Sequence, residues 1–313
     1  MQGTPHIGCH SCPWSAPALT ATLRSAAGRA EARPGPLPLA FPAHTPPSTI
    51  DNMAFSRLIP CLLLKGRGLY KTVRFKNPKY VGDPLNAVRI FNEKGVDELI
   101  LLDIEATREG RGPNFELLAD LAGEAFVPLC YGGGVTELRH FERLFYLGIE
   151  KVSLNSSLFS HPGLLEEAAK HFGEQSVVAS VDARRRAFGS YEVVTHGGTR
   201  RERVDPRTAA VAAEQRGAGE VVINAVDRDG MMKGMDIPLI RTVSEALTIP
   251  VVAIGGAGNL DHAREGLNEG HASAVAAGSM FVFSGPHRAV LITYPAESDV
   301  SRLSMDARGT TRE

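Results

Sequence analysis

The sequence predicts an α/β protein with a closed (β/α)8 barrel, a TIM barrel built from two half-barrel repeats. Three observations lead there. Short apolar runs alternate with longer amphipathic segments between residues 58 and 277, glycine clusters follow the third and seventh runs, and first-half segments recur 122 or 123 positions later. Strands buried on both faces read as unbroken Val/Ile/Leu runs, and eight of them with intervening helices close on themselves. The span 53–294 has the roughly 250 residues that such a barrel takes.

Residues 1–52 are rich in Pro, Ala, Gly, Ser and Thr without a helical or strand period, as in Arg33-Pro-Gly-Pro-Leu-Pro38, and are expected to be a disordered extension. Met53-Ala-Phe-Ser-Arg57 opens the patterned region, which makes Met53 the expected natural start. The strand runs are then Leu58–Leu64, Glu98–Ile104, Val127–Tyr131, Lys151–Leu154, Val177–Asp182, Glu220–Asn224, Pro250–Ile254 and Ala272–Ala277. Helical periods occupy Pro84–Lys94, Phe115–Glu124, Leu138–Leu147, Leu164–His171, Pro206–Arg216 and Asp236–Leu247. The charged tail 295–313 has no period and is expected to be disordered.

Composition narrows the function. Hydrophobic residues make up 43% and charged ones 22%, as in a soluble globular protein. With 34 basic and 35 acidic residues there is no broad positive field for nucleic acid, and no apolar run nears the twenty or so residues of a membrane span. Four irregularly placed cysteines, Cys9, Cys12, Cys61 and Cys130, favour a reducing cytoplasm over a disulfide framework. Cys9-His-Ser-Cys12 lacks the second half of a zinc site, so neither metal nor cofactor is expected.

Tyr131-Gly-Gly-Gly-Val-Thr136 lets backbone N–H groups approach an anion, and Glu137–Leu147 would aim a helix N-terminus at it. The chain writes this pattern twice. Val251-Val-Ala-Ile-Gly-Gly-Ala-Gly258 and Gly278-Ser279 echo the glycines and Asn155-Ser156, with Gly132 answering Gly255 and Asn155 answering Gly278. Two phosphate sites are therefore expected at the C-terminal mouth: Gly132, Gly133, Gly134, Asn155 and Ser156 in one half, and Asp229, Gly230, Gly255, Gly256, Gly258, Gly278 and Ser279 in the other. A ligand with a phosphate at each end would fit both.

Asp182 closes strand five and is the leading candidate for a general acid or base; the alternative is a structural partner of Arg184 or Arg185. Asp103 and Asp229 are further candidates, or turn caps. The loops Arg108–Pro113 and Asp227–Gly234 follow strands two and six, at the end of a barrel that carries chemistry.

Seven segments in order, Ile59-Pro-Cys-Leu-Leu-Leu-Lys65, Asp97-Glu-Leu-Ile-Leu-Leu-Asp103, Gly132-Gly-Gly134, Lys151-Val-Ser-Leu-Asn155, Ser180-Val-Asp182, Asp227-Arg-Asp-Gly230 and Gly255-Gly-Ala-Gly258, resemble the cyclase subunit of imidazole glycerol phosphate synthase over residues 56–294. The resemblance implies a barrel that takes ammonia from a class I glutaminase docked at its N-terminal face. It also implies two aspartates, ending strands one and five, that work on a doubly phosphorylated ligand. Asp182 matches the second aspartate, but Leu63 stands at the first, and Ile254 replaces a serine usual before the strand-seven glycines. Arg57, Glu98, Lys151 and Glu220 match the family's charged ammonia gate, against a plain salt-bridged barrel floor.

The Leu-Leu-Leu-Lys65 start, Lys71–Asp83 and Gly278–Pro295 resemble a divergent branch. It comprises the acetamidino-modification proteins of bacterial surface-sugar (lipopolysaccharide) synthesis, whose barrel serves a separate sugar amidotransferase. Three readings follow: an ammonia-channelling barrel of that branch, a working cyclase of histidine synthesis with Asp103 or Asp229 in place of the missing acid, and a non-catalytic scaffold regulated by phosphate ligands.

Overall fold

The computed structural model describes residues 56–285 and 287–306, so the expected extension 1–52 lies outside the described residues. Eight parallel strands close the barrel: β1 (Arg57–Lys65), β2 (Leu99–Asp103), β3 (Leu129–Gly132), β4 (Lys151–Leu154), β5 (Val177–Arg185), β6 (Glu220–Ala225), β7 (Val251–Ile254) and β8 (Ala274–Ala277). Closure is direct, since β8 pairs with β1 in register Arg57↔Ala274 to Pro60↔Ala277.

Helices α1 (Pro84–Glu93), α2 (Phe115–Glu124), α3 (Leu138–Tyr146), α4 (Leu164–Phe172), α5 (Pro206–Gln215), α6 (Ile237–Ser244) and α7 (Leu260–Asn268) cover the outside. Their starts are written locally. Asp83, Asn114, Asp205, Asp236 and Asn259 each accept a backbone N–H of the first turn, and proline fills the opening turn of α1, α5 and α6.

Side chains alternate across each strand, so the core has two layers. The outer one joins strands to helices. The inner one is a narrow apolar tube of Ile59, Cys61, Ile100, Cys130, Val178, Val222, Val252, Ile254, Ala274 and Ala276, with Leu63 and Leu102 against its upper end.

The half-barrel repeat is geometric as well as sequential. Helices α3 and α7 begin at Leu138 and Leu260 and end at Tyr146 and Asn268, an offset of 122 at both ends. Thr136 N donates to His140 Nδ1 and Gly258 N to His262 Nδ1, both at 3.2 Å. One pairing is corrected: Gly133, not Gly132, is the counterpart of Gly255. A Cβ on Gly133 would lie 2.6 Å from Asp103 O, and one on Gly255 2.7 Å from Ala225 O, the same contact 122 residues on.

Two hairpins interrupt the alternation on the C-terminal side. Gly68–Val73 and Lys76–Gly82 fold back after β1, and β5 overruns the barrel to pair antiparallel with Tyr191–Thr195. The tail also departs from expectation. Glu297–Asp306 form helix α8, which lies against α7, buries Leu303 to 1% exposure and packs Val300 against the same core, so two apolar side chains anchor a segment whose sequence reads as polar.

Candidate functional site

Four charges meet at the N-terminal end of the tube. Arg57 bridges Glu98 at 2.6 Å and also Glu220, while Lys151 Nζ reaches Glu98 at 3.0 Å and Glu220 at 2.8 Å. Cation and carboxylate thus alternate around a closed ring in which Glu98 and Glu220 are buried. Glu98 and Glu220 are repeat equivalents, 122 residues apart, which places them across the barrel from each other with the two cations between. Burial lowers the affinity of Arg57 and Lys151 for their protons, but the two glutamates more than offset it and hold both cationic.

At the other end a cavity of about 380 Å3 opens among the C-terminal strand ends. Asp182 lies in its wall, buried, its two carboxylate oxygens accepting from Asn224 Nδ2 at 3.1 Å and Asn155 Nδ2 at 3.2 Å. Burial pushes its carboxyl up to about 7, with the nearby Asp229 adding to the shift and the two asparagines opposing it. A carboxyl poised there exchanges protons near neutrality, as a general acid or base must. Leu63 faces the same cavity beside its register partner Leu102, so an apolar wall stands where a second carboxylate is expected.

Lys71 is a site residue that the sequence did not reveal. It sits on the hairpin after β1, 4% exposed, and its Nζ donates to Cys61 O at 2.6 Å in the cavity wall. Burial lowers its pKa, partly offset by Cys61 and Asp229, which eases loss of its proton. The only signal that could have exposed it is the two-residue spacing from Leu69, which puts Lys71 on the same buried face of the strand; the burial of neighbouring Thr72 breaks that period.

The other two carboxylate candidates also line the cavity, each tied into the surrounding loops by hydrogen bonds. Asp103 is gripped by Arg111 at 2.8 and 3.0 Å and accepts from Glu105 N and Ala106 N at 3.0 Å, which uses it as a turn cap. Asp229 accepts from Thr72 Oγ1 at 2.7 Å and Phe75 N at 3.1 Å, pinning the hairpin that carries Lys71. Asp229 thus anchors the hairpin while it still lines the cavity beside Gly230, where burial raises its pKa. Asp182, for its part, makes no ion pair with Arg184 or Arg185 among the described residues; its partners are the two asparagines.

Of the two glycine sets, Gly132, Gly133, Asn155 and Ser156 line one side of the cavity and Gly230, Gly255, Gly256, Gly278 and Ser279 the other. Gly134 and Gly258 do not. A Cβ on Gly134 would come 2.4 Å from Arg111 O, and one on Gly258 2.7 Å from Met232 O, so both serve loop packing.

The family described as Histidine biosynthesis protein matches residues 57–286, the barrel with both glycine sets. The chain belongs to that family, among its HisF-like barrels. It is 51% identical over 253 residues, 81% of this chain and 100% of the relative, to a protein of Pseudomonas aeruginosa named "Putative imidazole glycerol phosphate synthase subunit hisF2". A "Putative imidazole glycerol phosphate synthase subunit hisF3" of Vibrio vulnificus is 44% identical over 80% of this chain and 96% of its own length. A Leptospira borgpetersenii protein named "Putative imidazole glycerol phosphate synthase subunit HisF" is 43% identical over 79% and 98%. In this HisF-like chain no helix among the described residues is long and apolar enough to cross a membrane, and no cluster of three or more His, Cys, Asp or Glu there could hold a metal ion.

Proposed function

We propose that this HisF-like barrel is the ammonia-receiving subunit of a glutamine amidotransferase system, coupled to a class I glutaminase and serving acetamidino modification of a bacterial surface sugar. The observation that carries the reading is the closed ring of Arg57, Glu98, Lys151 and Glu220 over an apolar tube. Neutral ammonia crosses such a tube without loss of strong hydration, whereas an ammonium ion does not. The ring would act as its gate. Phe126, just after α2, and Tyr146, the last residue of α3, are 88% and 90% exposed, precede β3 and β4 at the ring end, and suit a docked protein.

At the mouth the same reading explains Leu63 and Ile254. A barrel that hands ammonia to a separate sugar amidotransferase does not need the acid that ring closure uses, and an apolar lining keeps ammonia neutral. The glycine sets would still hold a phosphorylated ligand that signals readiness. The protein would act in the cytoplasm, where its partners and nucleotide-linked sugars are found.

A second reading keeps the cyclase reaction of histidine synthesis, in which ammonia and phosphoribulosyl-formimino-aminoimidazole carboxamide ribotide give imidazole glycerol phosphate and aminoimidazole carboxamide ribotide. One observation favours it. Lys71 and Asp182 are both shifted toward neutrality and face one cavity, so Lys71 could stand in for the strand-one acid. The scaffold reading has no comparable support, because a scaffold needs neither shifted group. Complementation separates the first two. The ammonia-channelling reading predicts no growth of a histidine auxotroph lacking its cyclase when this chain is supplied; restored growth would establish the second.

A further inference from the structure

The hairpin that follows Asp182 leaves the barrel carrying a concentrated positive charge. It holds Arg184, Arg185, Arg186, Arg200, Arg201 and Arg203, no lysine, and two acids, Glu192 and Glu202. Both acid side chains are buried beneath it. Arg201 and Arg186 lie 3.2 and 3.9 Å from Glu192, and Arg200 lies 3.2 Å from Glu202. Arg184, Arg185 and Arg203 make no ion pair among the described residues, so the outer surface is positive while part of its guanidiniums are held in place. The hairpin after β1 adjoins it, since a Cβ on Gly198 would lie 2.7 Å from Arg184 and 3.3 Å from Phe75. That hairpin adds exposed Arg74, Lys76 and Lys79, with no acid anywhere from Lys65 to Gly82. Phe75, Pro78 and Gly197 line the cavity, so a chain of net charge −1 sets a basic rim beside its mouth.

Phe188 stands at the tip of the β5 hairpin. The turn is closed by Arg186 N, which donates to Ser190 O at 2.7 Å, and the Phe188 ring is fully exposed. Its backbone sits at φ 67° and ψ 17°, a left-handed conformation that suits glycine and not a bulky aromatic. An exposed ring also forgoes the stabilisation of burial. Neither cost is offset within the chain, which points to a contact outside it.

We propose that this rim docks the acidic surface of a partner protein, with Phe188 as its apolar anchor. The inference rests on the ammonia-receiving reading and gives it an exit. Three extended residues carry the hairpin about 10 Å from Asp182 in the cavity wall to Arg185, so a protein held there covers the mouth and meets ammonia before solvent does. Composition selects a protein. Protein interfaces favour arginine and aromatic residues over lysine, and a guanidinium forks onto a carboxylate, whereas a nucleic acid or an anionic membrane accepts lysine as readily. A second copy of this chain does not fit, because an isologous contact would set arginine against arginine.

The test places photoreactive p-benzoylphenylalanine at position 188 of the full-length chain, which replaces the native copy in its own cells; position 126, at the ring end, is the control. Irradiation is expected to capture at 188 one protein that 126 does not capture. Its binding to the full-length chain is then measured by calorimetry in about 50 and 300 mM sodium chloride, over which the affinity should fall several-fold. Arg185→Glu combined with Arg203→Glu should weaken binding about tenfold or more. Phe188→Gly should do the same while melting no lower than the parent, an outcome that a merely structural role would not give. No capture at 188, capture of phospholipid or nucleic acid alone, or binding unchanged in both variants would overturn the docking surface. Ammonia transfer is scored apart. A captured protein that binds through the rim but consumes no ammonia supplied by barrel and glutaminase removes the ammonia-receiving reading and leaves the surface standing; a stimulated glutaminase with no capture at 188 does the reverse.

Discussion

Replacing Asp182 by Asn is expected to make the protein more stable at pH 8 and to flatten its pH dependence. The carboxyl stands at about 7 in the folded barrel against an ordinary 3.8. Between those values the folded state keeps a proton that the unfolded chain has lost, so stability falls as pH rises through the window. At about 1.4 kcal/mol per pH unit, the whole traverse is worth about 4 kcal/mol. Asparagine has the same shape and no charge, but it accepts from only one of Asn155 and Asn224 and turns its own N–H groups toward the other. That mismatch costs about 1–3 kcal/mol. The net gain at pH 8 is therefore about 1–3 kcal/mol, a Tm rise of about 3–10 °C for a barrel of this size. At pH 4 the variant should lie level with the parent or below it. Thermal unfolding of both proteins by circular dichroism at pH 4, 5, 6, 7 and 8 measures the difference, which cancels other titrating groups. Two parallel profiles would refute the reasoning, since they would mean that Asp182 does not change its proton affinity on folding.

Other expectations follow from the same geometry. Glu98→Gln leaves Arg57 and Lys151 with one carboxylate between them, and because both cations are partly exposed the loss should be about 1–3 kcal/mol, read as a drop in urea midpoint with unchanged slope. Gly256→Ala puts a Cβ 2.2 Å from Gly234 O at φ 103° and should cost about 2–4 kcal/mol, whereas Gly110→Ala, at φ 65° with open space around it, should cost only about 1 kcal/mol. Leu63→Asp puts a second carboxylate in the cavity that Asp182 lines; it should cost about 1–3 kcal/mol and yield measurable imidazole glycerol phosphate from ammonium salts plus phosphoribulosyl-formimino-aminoimidazole carboxamide ribotide, and a folded variant with no product would show that more than the acid is missing.

The eight strands and most helices were legible because a closed parallel barrel writes each strand as an unbroken apolar run, and the two-fold repeat put the glycine sets and the Glu98–Glu220 pair in view. The four ring residues fall at strand starts, so their meeting in space needs only the closure of the sheet. What was hidden depends on contacts distant in sequence. Lys71 enters the sequence reading only as the start of a branch-like segment, and the fold-back of Gly68–Val73 onto β1 is what buries it. The bonds of Asp229 to Thr72 and Phe75, more than 150 residues away, are likewise invisible until the hairpin folds back. Asn224 looks like an ordinary strand end, and its bond to Asp182 forms only when β5 and β6 pair. Helix α8 carries too few apolar residues for a helical period, and Leu303 acquires its meaning only against the barrel.

The central claim is that the barrel draws ammonia from a glutaminase through the ring. Its most direct test is the rate of glutamine hydrolysis by a co-purified class I glutaminase, alone, with this chain, and with a Lys151→Met variant that folds. The account predicts that the parent chain raises the rate and that the variant changes this stimulation while both barrels bind the glutaminase equally. A glutaminase that neither binds this chain nor responds to it would contradict the account.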